Sequence, residues 1–168
     1  RDFCLSRGLG DVYKRQGLKG MHFLCAEDNE LNAEILSELL EIEGASCEIC
    51  ENGQVVVERF EQSKPGEFDM ILMDVQMPIM NGYEATKAIR SGTHPLANTI
   101  PIIAMTANAF SEDIQNSLNA GMDAHVSKPV DMKTLIKTVH SIQSGVCVGG
   151  QNLRRNDTWL SFGQIVQK

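Results

Sequence analysis

Between residues 21 and 143 the chain alternates short apolar runs with longer segments whose apolar residues recur three and four positions apart. The runs at 22–26, 46–50, 69–73, 100–105 and 123–126 have the length and composition of strands. After the first run, Asn29 is placed to cap a helix. On that helix Leu31, Ile35, Leu36, Leu39 and Leu40 form one apolar face, and Gly44 ends it as a C′ glycine does. Further helices are predicted over 54–62, with Val55, Val56 and Phe60 as core candidates, and over 82–90, 111–120 and 131–142. Lys64-Pro-Gly-Glu67 reads as a turn and residues 91–98 as a polar loop.

Strand and helix in repeated alternation predict a parallel sheet with every carboxyl end on one edge. Five such units give the fold class: α/β, a flavodoxin-like doubly wound five-stranded parallel sheet, (βα)5, strand order 2-1-3-4-5. Ligands bind such sheets at the carboxyl edge, where strand order reverses. The residues that end the apolar runs are therefore the informative ones. They are Glu27 and Asp28 after the first, Asp74 after the third, Thr106-Ala107 after the fourth and Lys128-Pro129 after the fifth. The topology brings them together.

Composition narrows the function classes. Residues 21–145 hold 19 acidic and 7 basic side chains, whereas 1–20 and 146–168 are net basic. So acidic a body argues against direct nucleic-acid binding, which needs a basic face. No apolar stretch approaches the ~18 residues of a membrane span. No basic segment followed by an apolar core opens the chain as a secretion signal would. The 5 cysteines are irregularly spaced and outline no disulfide framework. Cys47-Glu-Ile-Cys50 has half a zinc-site spacing, but it falls in a strand where residues three apart face opposite sides. No second Cys or His pair completes a metal site. Reduced thiols fit a cytoplasmic protein.

Residues 1–20 form a basic, Gly-rich stretch without periodicity and are expected to be a disordered leader. Asp11-Val-Tyr-Lys-Arg-Gln16 is what GATGTGTATAAGAGACAG encodes, the transposase mosaic end used in sequencing libraries. Residues 1–16 are accordingly read as a translated adapter joined to an incomplete gene. Residues 21–143 are the domain, and 144–168 a linker leading to a truncated segment.

Two carboxylates from two strand ends suit a divalent cation. Mg²⁺ takes hard oxygen ligands and commonly uses one or two carboxylates together with a phosphate. Asp28 and Asp74 can supply them, with Glu27 in an outer shell through water. An aspartate beside Mg²⁺ can also attack phosphorus and form an acyl phosphate. Lys128 then offers a fixed positive charge, Thr106 a hydroxyl donor, and the small Ala107 leaves room for the phosphoryl group.

These motifs identify a resemblance. Ala26-Glu-Asp-Asn-Glu-Leu-Asn32, Ile71-Leu-Met-Asp-Val-Gln-Met-Pro-Ile-Met-Asn-Gly82, Met105-Thr-Ala107 and Ser127-Lys-Pro129 resemble the acidic pocket, phosphoacceptor loop, switch and lysine motifs of response-regulator receiver domains. The resemblance implies Asp74 as phosphoacceptor and Mg²⁺ held by Asp28, Asp74 and the backbone carbonyl of Gln76, with Glu27 assisting. It also implies Thr106 as switch hydroxyl, Lys128 as phosphate-binding lysine and a cis bond before Pro129. Many receivers carry Tyr or Phe on the fifth strand where this chain has His125, so His125 is a switch candidate and equally a half-exposed strand residue. Glu27-Asp-Asn-Glu-Leu-Asn32 and Gly121-Met-Asp-Ala-His-Val-Ser-Lys-Pro129 resemble receivers attached to hybrid sensor histidine kinases.

The expected function is therefore a phosphorelay receiver, taking a phosphoryl group from phosphohistidine on a histidine kinase or histidine phosphotransfer domain. It catalyses only its own phosphorylation and dephosphorylation. A stand-alone receiver, or a response regulator lacking its output domain, is the alternative context. A phosphatase of the haloacid dehalogenase type also uses an aspartyl phosphate but wants a second Asp two residues on, where this chain has Gln76. His140 lies on the last helix without a phosphoaccepting motif around it. The charges on the fourth and fifth helices are few, so a monomer is expected, with its first helix offered to the partner and no nucleic acid or membrane contact.

Overall fold

A computed structural model describes residues 17–108 and 111–145. Its strands are β1 (His22–Ala26), β2 (Ser46–Cys50), β3 (Met70–Asp74), β4 (Ile102–Thr106) and β5 (Ala124–Ser127). Its helices are α1 (Glu30–Ile42), α2 (Gly53–Glu61), α3 (Gly82–Ser91), α4 (Ser111–Ala120) and α5 (Met132–Gln143). All strand pairs are parallel, in the order β2-β1-β3-β4-β5. Order reverses between β1 and β3, and Glu27 and Asp74 stand there.

β1 and β2 cover the residues the apolar pattern predicts, whereas β3, β4 and β5 start one or two residues later. Asp69 is outside the ladder because its carboxylate accepts from the His22 N–H. Asp123 likewise takes the Ile102 N–H and a bond from Arg90. At the other end Asp74 pairs with Met105 and Thr106 with Ser127. Asp74 and Thr106 are thus themselves strand residues, held by the ladder, whereas Glu27, Asp28 and Lys128 follow their strands.

The sheet separates two apolar layers. Leu24, Ala26, Ile71, Met73 and Ala104 pack with Val56, Phe60, Ala85 and Ile89 from α2 and α3. Phe23, Cys25, Leu72, Ile103 and Met105 pack with Leu36, Leu40, Leu135 and Val139 from α1 and α5. Cys47 and Cys50 fall on opposite layers, as their spacing requires. Leu18 is fully buried in the α1–α5 layer, Gly20 N–H donates to the Gly44 carbonyl at 2.9 Å, and the Gly17 carbonyl contacts His140 Nε2 at 3.2 Å. Residues 17–20 thus pack against the domain, with Leu18 inside its α1–α5 layer. A single leucine carries no periodicity, so the pattern could not include it. Residues 1–16 and 146–168, read above as adapter and linker, lie outside the described residues.

On α1 the predicted apolar face is only partly inward. Leu36 and Leu40 are buried, Leu31 is 64% exposed and Ile35 47%. Val55 on α2 is also exposed. Among the described residues, no helix is long and apolar enough to cross a membrane.

Candidate functional site

β1 and β3 end side by side, so Glu27 follows the last residue of one buried strand and Asp74 is the last residue of the other. Both carboxylates are nearly buried, while Asp28, one residue further on, is exposed. One oxygen from each of the three lies within 4.8 Å of the others. Such a set of hard oxygen donors, open on one side, fits a Mg²⁺ ion that keeps some of its water. An open cleft of about 610 Å³ adjoins it, lined by Asp28, Gln76, Met77, Pro78, Asn81 and Tyr83 among others.

Lys128 reaches this cluster from the end of β5. Its Nζ donates to Glu27 Oε2 and to Asp74 Oδ2, each at 2.6 Å. The peptide bond between Lys128 and Pro129 is cis. Burial works against the ammonium, but the bonds to Asp74 and Glu27 outweigh it and hold Lys128 above its ordinary value. Burial pushes the Asp74 carboxyl up, against the pull of Lys128 and of the Gln76 N–H, which donates to Asp74 Oδ1 at 3.1 Å. A carboxylate costly to bury and adjacent to a fixed cation is a common arrangement at functional sites.

The loop after β3 is shaped by its contacts with the site. Asn81 caps α3 in a reciprocal box with Glu84. Gly82 packs against the end of β3 so closely that a Cβ there would stand 2.2 Å from the Asp74 carbonyl oxygen. Its N–H donates to the Val75 carbonyl at 3.0 Å. The sequence pattern places Gly82 at a helix start and at the end of the loop motif, and neither shows this need for glycine.

The Thr106 and His125 side chains make no hydrogen bond to the carboxylate–lysine group among the described residues, although the Thr106 carbonyl accepts the Lys128 N–H at 2.8 Å. Thr106 is buried at the end of β4, and its hydroxyl donates to the Asn108 carbonyl at 2.9 Å and accepts from the Asn108 N–H at 3.2 Å. It is engaged by its own loop. His125 is half-buried on β5 in register with Ala104. The sequence reading also gave Asn32 no role. Asn29 caps α1 by accepting the Asn32 N–H at 3.0 Å, and the Asn32 side chain donates to Glu27 Oε1 at 3.3 Å. The signal was available, since the third residue after a cap is the position from which a side chain reaches back across the helix start.

The fold and this pocket define a doubly wound α/β domain whose carboxyl edge presents an acid cluster bridged by one lysine. Residues 23–140 match the response regulator receiver domain family, and the chain belongs to it. Probable histidine kinase 2 of Oryza sativa subsp. indica is 37% identical over 143 residues, covering 79% of this chain and 13% of the rice protein. The chain thus spans about an eighth of that relative. Among solved structures, the receiver domain of the sensor histidine kinase PA1611 from Pseudomonas aeruginosa, with a magnesium ion coordinated in its active-site cleft, is 33% identical. It superposes with a TM-score of 0.65 over 74% of this chain and 98% of its own. The receiver domain of Saccharomyces cerevisiae Ssk1, crystallised with the histidine phosphotransfer protein Ypd1, is 26% identical. Its TM-score is 0.64 over 78% of this chain and 94% of its own.

Proposed function

We propose that the domain, with functional bounds near 21–143, accepts a phosphoryl group from phosphohistidine onto Asp74. The observation that carries this is the Lys128 ammonium on Asp74 Oδ2, inside a cluster of three carboxylates at the switch point of the sheet. Asp74 attacks phosphorus, a P–O bond forms to its carboxylate and the P–N bond to the donor imidazole breaks. Asp28 and Asp74 would hold Mg²⁺ with the Gln76 carbonyl, and Glu27 would act through water. The ion, when bound, neutralises phosphoryl oxygen charge. Lys128 supplies a second fixed charge to those oxygens. Thr106 becomes their hydroxyl donor once it leaves Asn108. His125 is proposed as a strand residue that follows Thr106 only where its ring turns inward.

The donor is proposed to be a histidine kinase or histidine phosphotransfer domain, by likeness to the Ssk1 receiver crystallised with Ypd1. Leu31 and Ile35, exposed on α1 beside the pocket, give such a partner an apolar surface to dock on. The parent protein is proposed to be a hybrid histidine kinase, with this segment in the cytoplasm. A stand-alone receiver is the alternative context.

Acetyl phosphate with Mg²⁺ tests the site. The wild-type chain is expected to gain an acid- and base-labile phosphoryl group, Asp74→Ala to gain none, and Asp28→Ala to lose labelling together with most of its Mg²⁺ affinity by titration. Wild-type labelling of Asp74→Ala would reject the assignment.

A further inference from the structure

Glu27 is a buried carboxylate whose two oxygens are held by different parts of the chain. Oε1 accepts from the Asn29 backbone N–H and from Asn32 Nδ2, each at 3.3 Å. Oε2 accepts from Lys128 Nζ at 2.6 Å, and the same ammonium donates to Asp74 Oδ2 at 2.6 Å. Four side chains therefore form a line from the first turn of α1 to the carboxylate at the end of β3: Asn32, Glu27, Lys128, Asp74.

The amide of Asn32 has no other task visible in the fold. The helix cap uses the backbone N–H of Asn32, donated to Asn29 Oδ1 at 3.0 Å, which any residue but proline supplies. The side chain is exposed and belongs to neither apolar layer. As a helix former Asn is inferior to Leu or Gln, so local stability does not call for it. What only the amide provides is the second donor on Oε1. With one weak donor on that oxygen, the carboxylate can rotate about its terminal bond toward Asp28 and Asp74, whose oxygens stand within 4.8 Å of it. Rotation would carry Oε2 out of line with Lys128 and so move the ammonium relative to Asp74.

We infer that Asn32 is a positioning residue for phosphoryl transfer: its amide fixes the rotation of the Glu27 carboxylate and, through it, the place of the Lys128 ammonium beside Asp74. The inference rests on the receiver reading above. It concerns orientation, and a misplaced charge at a reacting centre costs rate without a loss of fold.

The test uses the full chain, acetyl phosphate as the probe and saturating Mg²⁺, with Asn32→Leu and Asn32→Gln compared to wild type. Asn32→Leu is expected to melt at the wild-type temperature or above it, because Leu favours the helix. Its half-saturating Mg²⁺ should stay within about twofold of wild type, while the labelling rate at saturation falls roughly tenfold. Asn32→Gln keeps a donor at a position from which glutamine commonly reaches back, and should recover most of that rate. The inference is overturned by Asn32→Leu labelling at the wild-type rate, by a loss that tracks weakened Mg²⁺ affinity or a lowered melting temperature, or by Asn32→Gln being as slow as Asn32→Leu. Failure of the receiver reading is separate, since it is read on the wild type and Asp74→Ala alone.

Discussion

Lys128 is the residue on which the pocket's charge balance turns. Glu27 and Asp74 hold its ammonium above the ordinary lysine value, although burial opposes them. A group whose value is raised on folding contributes stability that is fully present below its unfolded value, about 10.4 for lysine, and that is lost as pH rises through the folded value. Lys128→Met leaves two carboxylates without their cation and is expected to melt below wild type at neutral pH. The gap should close as pH climbs past the lysine range, because the wild type then loses what the variant already lacks. Melting curves of both proteins from neutral to strongly alkaline pH check this, and a constant gap would contradict it. Asp74 works in the opposite sense. Burial raises its carboxyl, so its ionisation subtracts stability above the carboxylate range. The charge needed for chemistry is maintained at the expense of the fold, and Lys128 offsets part of that cost.

Among the elements, the junction of β3 and α3 is the most tightly constrained. Gly82→Ala would place a methyl group 2.2 Å from the Asp74 carbonyl oxygen and 3.0 Å from the Val75 Cα. Backbone must move, at a cost on the order of 2–3 kcal/mol. Denaturant unfolding should show that loss, and acetyl phosphate labelling should fall with it because the shifted backbone carries the Asp74 carboxylate. This junction also shows where reading from sequence stops. The apolar runs and their polar last residues indicated the strand order and the convergence of Glu27, Asp28, Asp74 and Lys128, since the period of a strand and the direction of a parallel sheet are properties of pattern. What Gly82 and Asn32 do depends on atoms from elements distant in space or a turn away, and no periodicity encodes that. Nor does pattern tell which way a rotatable hydroxyl points, so Thr106 on Asn108 had to be seen. Leu31 and Ile35 continue the helical repeat of α1, yet they are exposed while Leu36 and Leu40 of the same repeat are buried, and the repeat alone does not tell them apart. Leu18 is the converse, a core residue with no repeat around it. Leu18→Ala should cost roughly 2–5 kcal/mol in chemical denaturation, and an unchanged midpoint would show that the pocket it fills can collapse.

For the molecule as a whole, the charges say more about assembly than about fold. Glu112 and Asp113 stand in the first turn of α4, and Lys133 and Lys137 lie on α5 behind the capping Asp131. Exposed ion pairs contribute about 0–1 kcal/mol each, too little in so sparse a set to hold a self-complementary interface. Light scattering at micromolar concentration is expected to give a monomer mass with and without the phosphate mimic beryllofluoride. A shift to dimer mass on adding the mimic would favour a dimerising regulator over the hybrid-kinase context. Met21, the first methionine of the chain, comes three residues after Leu18. A chain begun at that residue would keep every strand and helix of the described residues and the entire acid–lysine pocket. It would still leave a leucine-sized hole between the sheet and its α1–α5 layer, so an expressed fragment of this domain is best begun no later than Gly17.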